Sequence, residues 1–111
     1  MGNVINAIKD IFREELDAYG INNYSCILCI NILAELTCSL SVTDKTNIED
    51  IYNKIHTLSG IDFNTVKESI LYIVNNADFS KSKIFPMFRD TKNKITEEAL
   101  IKAFVSYVYA T

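Results

Sequence analysis

The sequence predicts an all-α fold, a compact bundle of five or six helices. Apolar residues recur at intervals of three and four over most of the chain, which is the period of a helix with one buried face. No stretch alternates apolar and polar residues as a half-buried strand does, and the chain contains only three Gly and one Pro. With 111 residues, of which 49% are hydrophobic, residues 1–111 are expected to form a single domain around one core.

The first two helices are predicted in the N-terminal third of the chain. In the first, apolar positions from Val4 to Tyr19 share one face, and Gly20 ends the helix. In the second, which Asn23 can cap, apolar residues surround almost the whole circumference as far as Leu40. We therefore expect the second helix to lie at the centre of the bundle.

Two shorter helices, over residues 47–76, are predicted to form a helix-turn-helix. Thr46 or Asn47 can cap the first of them, which ends at Gly60. The second begins near Asn64. Two short helices joined by a tight turn that contains Gly are typical of this motif.

The C-terminal part is predicted to hold a short helical turn and one longer helix. Pro86 limits the segment 79–89 to one or two turns. The last helix begins at Thr96 and carries an apolar face from Leu100 to Val108.

The charge is unevenly distributed along the chain. The net charge of −3 argues against a general nucleic-acid binder, because affinity for phosphate comes mostly from clustered Lys and Arg. Residues 81–94, here named the basic segment, carry five cations against the single acid Asp90: Lys81, Lys83, Arg89, Lys92 and Lys94. This segment is the candidate for phosphate contact, and a solvated loop is the alternative.

Several short patterns follow one another along nearly the whole chain. They are Ile5-x-x-Ile8 in a helix that ends at Gly20-Ile21, the apolar helix from Leu28 to Leu40, Ile51-Tyr52-x-x-Ile55, Val66-x-x-x-Ile70, and Phe88 followed by Ile95-Thr96-Glu97-Glu98-Ala99-Leu100-Ile101. In their order and spacing the chain resembles the C-terminal DNA-binding effector domain of the sporulation stage-zero master response regulator of endospore-forming bacteria, without that family's receiver domain.

The resemblance implies an all-α domain that places the second helix of its helix-turn-helix in the major groove of double-stranded DNA. Carried over, the candidate contacts on this recognition helix are Asn64, Thr65, Lys67, Glu68 and Leu71, with Tyr72 beside them. The family's helix is rich in arginine, whereas Thr65, Glu68 and Leu71 stand here at positions where basic residues are expected. Lys67 is the one cation of the helix, so its net attraction for phosphate is small.

Two functions from different classes follow from these observations. The first is a small helix-turn-helix regulator of transcription that binds DNA, with a homodimer on paired half-sites as the expected assembly. The second is a protein-interaction module that kept the fold and lost DNA binding, for example a homologue encoded by a mobile element that acts on a host protein. A positive face joining Lys67 to the basic segment favours the first, and an exposed apolar patch around Leu71 favours the second.

No pattern predicts a catalytic, metal or cofactor site. Cys26 and Cys29 have the spacing of a metal or redox pair, but the second pair of a zinc site is missing, so these thiols and that of Cys38 are expected to be reduced. His56 is expected at the surface or as a cap, and a lone histidine supports no nucleophilic triad. The pairs Glu14-Glu15 and Glu97-Glu98 lie near helix ends and are interpreted as residues for the helix dipole and solubility, and not as paired catalytic carboxylates.

A cytoplasmic location without a membrane partner is also expected. The apolar stretch of residues 24–34, which carries no charge, is shorter than the about 20 residues that span a bilayer. Lys9 and Asp10 lie where a signal peptide is apolar.

Overall fold

A computed structural model describes residues 2–90 and 94–111 of the chain. Over these residues the protein consists of helices and connecting loops without a strand, which confirms the predicted all-α class. The elements are α1 (Gly2–Ala18), α2 (Tyr24–Cys38), α3 (Ile48–Ser59), α4 (Phe63–Asn76), a 3₁₀ turn (Phe79–Lys81), α5 (Pro86–Arg89) and α6 (Glu97–Ala110). Lys92, which belongs to the predicted basic segment, lies outside the described residues.

Helix α2 lies at the centre of the bundle, as predicted. It contacts α1, α3, α4 and α6, and Cys29, Ile30 and Leu33 are fully buried between these neighbours. Apolar side chains on nearly all sides of α2 leave no polar stripe for solvent, so the helix is stable only when it is surrounded.

The ends of α2 differ from the prediction. Tyr24 is 78% exposed and Leu40 is 67% exposed, although the apolar pattern of this helix includes both residues and predicts their burial. Leu40 lies two residues after the last residue of α2 and adopts a φ of 66°, in the left-handed region that non-glycine residues seldom occupy. The two side chains lie beyond the length over which neighbouring helices cover α2.

Aromatic side chains connect α1 to the C-terminal half of the chain. The rings of Phe12 on α1 and Phe104 on α6 meet edge to face with centroids 4.6 Å apart. Phe85, which precedes α5, lies with its ring centroid 5.0 Å from that of Phe104. Edge-to-face pairs of this kind are favourable beyond the area that they bury, so they hold both α1 and the segment before α5 against α6.

Candidate nucleic-acid interface

The turn between α3 and α4 is fixed by hydrogen bonds on both sides. Gly60 adopts a φ of 77°, and its N–H donates to a carbonyl in the last turn of α3 at 2.9 Å. Ser59 Oγ accepts the N–H of Ile61 at 3.0 Å. The Asp62 carboxylate accepts the N–H of Asn64 at 3.1 Å and caps α4. These contacts fix the direction in which α4 leaves α3.

One side of α4 packs on α2 and α3. Its buried residues are Val66, Ser69, Ile70, Ile73 and Val74. A polar contact adds to the apolar packing, since Ser69 Oγ lies 3.1 Å from Ser25 Oγ of α2. Residues at helical spacings of three, four and seven share a side of a helix, so the opposite side of α4 faces away from the bundle.

That opposite side, here named the outward face of α4, contains most of the predicted recognition residues. It consists of Asn64, Lys67, Glu68, Leu71, Tyr72 and Asn75. At about 100° per residue, Asn64, Leu71 and Asn75 fall along its midline. Thr65 lies to one side and is half-buried. Asn75 was missed by the sequence analysis, although it follows Leu71 by four residues and belongs to the same stripe.

Lys67 is engaged within the helix pair. Its Nζ lies 3.7 Å from a carboxylate oxygen of Glu49 on α3 and 5.6 Å from the ring centroid of Phe63. The side chains of Lys67 and Glu49 are 43% and 63% exposed, so the ion pair is solvent-screened and weak. The single cation of α4 therefore has a carboxylate of α3 as its neighbour, and Glu68 cancels its charge in the sum over the helix.

The middle of the outward face is apolar. Leu71 and Tyr72 are each 42% exposed, so a large part of both side chains faces solvent. Glu68 is exposed one turn before them. A positive face does not run unbroken from Lys67 along this helix, because Leu71 and then Asn75 follow it toward the C-terminal end.

The basic segment places its described cations in solvent. Lys81 ends the 3₁₀ turn, Lys83 follows it, and Arg89 ends α5; these three and Lys94 are exposed. Arg89 and Lys94 line one pocket together with Val74 of α4. The structure thus brings two of the predicted phosphate-contact residues to the C-terminal end of the recognition-helix candidate.

A buried carboxylate anchors the start of the basic segment. Glu15 of α1 is 1% exposed. It accepts hydrogen bonds from the Ser82 hydroxyl, from the Tyr19 hydroxyl at 2.5 Å and from the N–H of Lys83 at 2.8 Å. Burial, followed by the hydrogen bond with Glu15, raises the pKa of Tyr19 far above its ordinary value, so the phenol stays a donor. The interpretation of Glu15 as a residue for the helix dipole and solubility was wrong. Its carboxylate is buried, and it lies near the C-terminal end of α1, where a negative charge opposes the helix dipole. The sequence alone carries no sign of this role, because Ser82 and Lys83 are distant from Glu15 along the chain.

The three thiols are unlinked, and Cys26 and Cys29 are buried on α2. Burial raises the pKa of the Cys29 thiol to about 11, which keeps it protonated and unreactive at neutral pH. His56 caps the turn after α3, with Nδ1 2.5 Å from the carbonyl oxygen of Ile61. Within residues 2–90 and 94–111, no three His, Cys, Asp or Glu side chains come together as metal ligands.

Comparisons of the chain with protein-family models, with curated proteins and with solved structures found no match. None of the helices in the described part of the chain has the length and apolar character needed to cross a membrane.

Proposed function

We propose that the chain is a small helix-turn-helix regulator that binds double-stranded DNA. Helix α4 enters the major groove through its outward face, and the basic segment contacts the phosphate backbone. Two copies on paired half-sites supply the affinity that a single motif lacks.

The observation that carries the proposal is the outward face of α4 itself. The helix is anchored from behind by α2 and α3, and the turn before it is fixed by hydrogen bonds, while Asn64, Glu68 and Asn75 remain exposed. Amide side chains read adenine, and carboxylates accept a hydrogen bond from the cytosine amino group. An anchored helix with such groups along its midline suits the reading of base edges.

The charges determine how this binding would depend on salt. On α4 the charge of Lys67 is offset by Glu68 and Glu49, so that helix adds little attraction for phosphate. Lys81 and Lys83 are exposed on a segment whose backbone Glu15 holds in place. Most of the phosphate attraction would therefore come from the basic segment.

The test is fluorescence anisotropy of a labelled random duplex pool, followed by selection of the bound sequences. We expect affinity to fall with salt, and the combined replacement of Lys81 and Lys83 by Gln to flatten the logarithmic slope by about one unit per lost contact. Glu68→Arg should strengthen binding to generic DNA, since it replaces a repulsive group at the groove. Lys45→Gln, on the loop before α3, is the control for a charge lost outside the basic segment, and it matches in charge each single Gln variant at Lys81 or Lys83. If neither the native protein nor Glu68→Arg binds any duplex in a salt-dependent way, the DNA proposal fails.

Two observations favour a second function, that of a protein-interaction module: the positive face does not continue from Lys67 along α4, and apolar surface is exposed around Leu71. Leu71 and Tyr72 expose apolar surface in the middle of the outward face. Such surface adds no attraction for a phosphate backbone, whereas a protein partner can bury it. A photo-crosslinking residue at position 71 should then capture a protein in the cells that express the chain, and the same residue at exposed Asn53 on α3 should not. Equal capture at both positions contradicts this second function.

A further inference from the structure

An apolar recess lies where the N-terminal part of α1 meets the C-terminal ends of α2 and α6. Its volume is about 230 Å³, and its lining includes Val4, Ile5, Leu40, Val108 and Tyr109. Of the eight large apolar side chains that are exposed in the described part of the chain, three lie here: Val4 at 53%, Leu40 at 67% and Tyr109 at 44%. Single exposed apolar residues are ordinary, whereas a cluster of them marks a surface that binds a partner.

The lining of this recess favours an apolar occupant. None of the described residues that line it has a charged side chain, although 23% of the chain is charged. Three hydroxyls line it, and each donates to a backbone carbonyl: Thr37 to Leu33 at 2.7 Å, Tyr109 to Val42 at 3.0 Å, and Thr111 to Tyr107 at 2.8 Å. The thiol of Cys38, which also lines the recess, is a weak donor. A charged group would therefore lose its hydration here without an equivalent partner, whereas an aliphatic side chain loses nothing of this kind.

Leu40 projects from the rim of the recess and is held there by the turn after α2. The N–H groups of Ser41 and Val42 both donate to the carbonyl of Leu36, at 2.9 and 3.1 Å, and these bonds fix the left-handed conformation of Leu40. Glycine is the residue that such a turn favours. A leucine in this conformation, with most of its side chain in solvent, gains little from the fold of a single copy, and backbone strain of this kind concentrates at functional surfaces.

We propose that this surface pairs two copies of the chain about a two-fold axis, with Leu40 of each copy in the recess of the other. A two-fold contact requires one patch that is complementary to itself, and this patch carries both a projection and a recess. A cavity of about 150 Å³ already holds benzene, so the recess has room for the smaller isobutyl group of leucine. An uncharged patch also suits two copies that each carry a net charge of −3, because their contact brings no like charges together.

This pairing leaves the outward face of α4 free. Helix α4 meets the beginning of α2, where Ser69 Oγ lies 3.1 Å from Ser25 Oγ and the Ser69 carbonyl accepts from the Cys26 thiol at 3.4 Å. Thr37, in the lining of the recess, lies about 18 Å further along the axis of α2 at the helical rise of about 1.5 Å per residue. The inference rests on the proposed function for its purpose, since a regulator on paired half-sites needs two copies, but the pairing itself requires no DNA.

The experiment is sedimentation equilibrium of the full chain without DNA over a range of concentrations. A contact of this limited size belongs to the weak, transient class, so we expect a dissociation constant of about 100 µM and an average mass that rises from 12.6 kDa toward twice that value. Leu40→Asn should weaken association at least about tenfold and keep the native melting temperature, because Asn adopts a positive φ more readily than Leu. Val4→Glu, which places a charge at an exposed position of the patch, should weaken association as strongly. Leu58→Asn, the matched loss of an exposed leucine on α3, should leave it unchanged.

The remaining outcomes each overturn the inference. If the native chain stays monomeric at millimolar concentration, a second copy is not the occupant; slower alkylation of Cys38 in the presence of 1-octanol would then assign the recess to a small apolar ligand. If Leu40→Asn and Val4→Glu associate like the native chain and Leu71→Asn does not, the outward face of α4 forms the contact.

The pairing and the DNA proposal fail separately. Association that depends on Leu40, in a chain that binds no duplex, supports the pairing and refutes the DNA proposal. Duplex binding by a chain that stays monomeric in the absence of DNA supports the DNA proposal and refutes the pairing.

Discussion

Replacing Glu15 by alanine removes one acceptor from several donors in the interior. The carboxylate accepts from the hydroxyls of Tyr19 and Ser82 and from the N–H of Lys83, and its own side chain is 1% exposed. A hydrogen bond to a charged group contributes about 1.5–3 kcal/mol, and a buried donor left without a partner costs about 1–3 kcal/mol. Because these effects overlap, we expect Glu15→Ala to lower the free energy of unfolding by about 3–5 kcal/mol.

The variant Glu15→Gln keeps the shape of the side chain and removes its charge, so it measures the two contributions separately. Its amide oxygen can still accept the N–H of Lys83, and the hydroxyls of Tyr19 and Ser82 can rotate to accept from the amide nitrogen. The loss for Glu15→Gln should therefore be smaller, about 1–2 kcal/mol. This order of the two variants is what the geometry of the network predicts.

Urea unfolding, extrapolated linearly to water, measures both free energies. Glu14→Ala is the matched control, since Glu14 is the exposed neighbour on the same helix. Ser82→Ala should cost less in the Glu15→Ala background than in the native protein, by at least about 1 kcal/mol, because the two residues share one contact. If Glu15→Ala is no more destabilising than Glu14→Ala, the network does not hold the basic segment.

Three further predictions concern the core, the thiols and alkaline pH. Leu33→Ala should cost about 2–5 kcal/mol, because Leu33 is fully buried at the centre of the bundle, and an unchanged melting temperature would contradict this. Cys38, which is half-buried, should react with iodoacetamide well before Cys29, whose pKa is raised by burial to about 11; equal rates by mass spectrometry would refute this order. Burial, followed by the charge of a neighbouring carboxylate, raises the pKa of Tyr52 above its ordinary value of 10.0, so its stabilising contribution is complete below that pH and is lost above it. Tyr52→Phe should therefore flatten the alkaline loss of stability, whereas Tyr24→Phe, at an exposed position, should not.

The helices could be predicted because their signals are local. The period of the apolar residues places each long helix, and capping residues mark several of the ends. Asn47 caps α3 by accepting the N–H of Asp50 at 2.9 Å, and Thr96 caps α6 by accepting the N–H of Ala99 at 3.1 Å. Asn23 precedes α2 without such a side-chain bond, because a residue type permits a cap and does not require one.

Burial at the helix ends could not be predicted from the same period. Val4 is 53% exposed and Leu58 is 53% exposed, although each lies on the apolar stripe of its helix. The position of a residue on the apolar stripe gives the direction of its side chain. Burial also requires that another helix lies beside that residue at the same level along the helix axis. Which helix reaches that level depends on tertiary packing, and the repeat of one helix contains no information about it.

The same distinction explains how the outward face of α4 compares with its prediction. The exposed positions follow from periodicity, so Asn64, Glu68 and Leu71 lie where the sequence predicts them. The role of Lys67 does not follow, because its nearest carboxylate belongs to Glu49 on another helix. The charges of α4 taken alone predict that Lys67 is available to phosphate. In the structure, Lys67 must first leave its ion pair with Glu49 before it can bind a nucleic-acid strand. For this reason Glu68→Arg is a sharper probe of DNA binding than removal of Lys67, since it replaces an exposed carboxylate of the outward face by a cation.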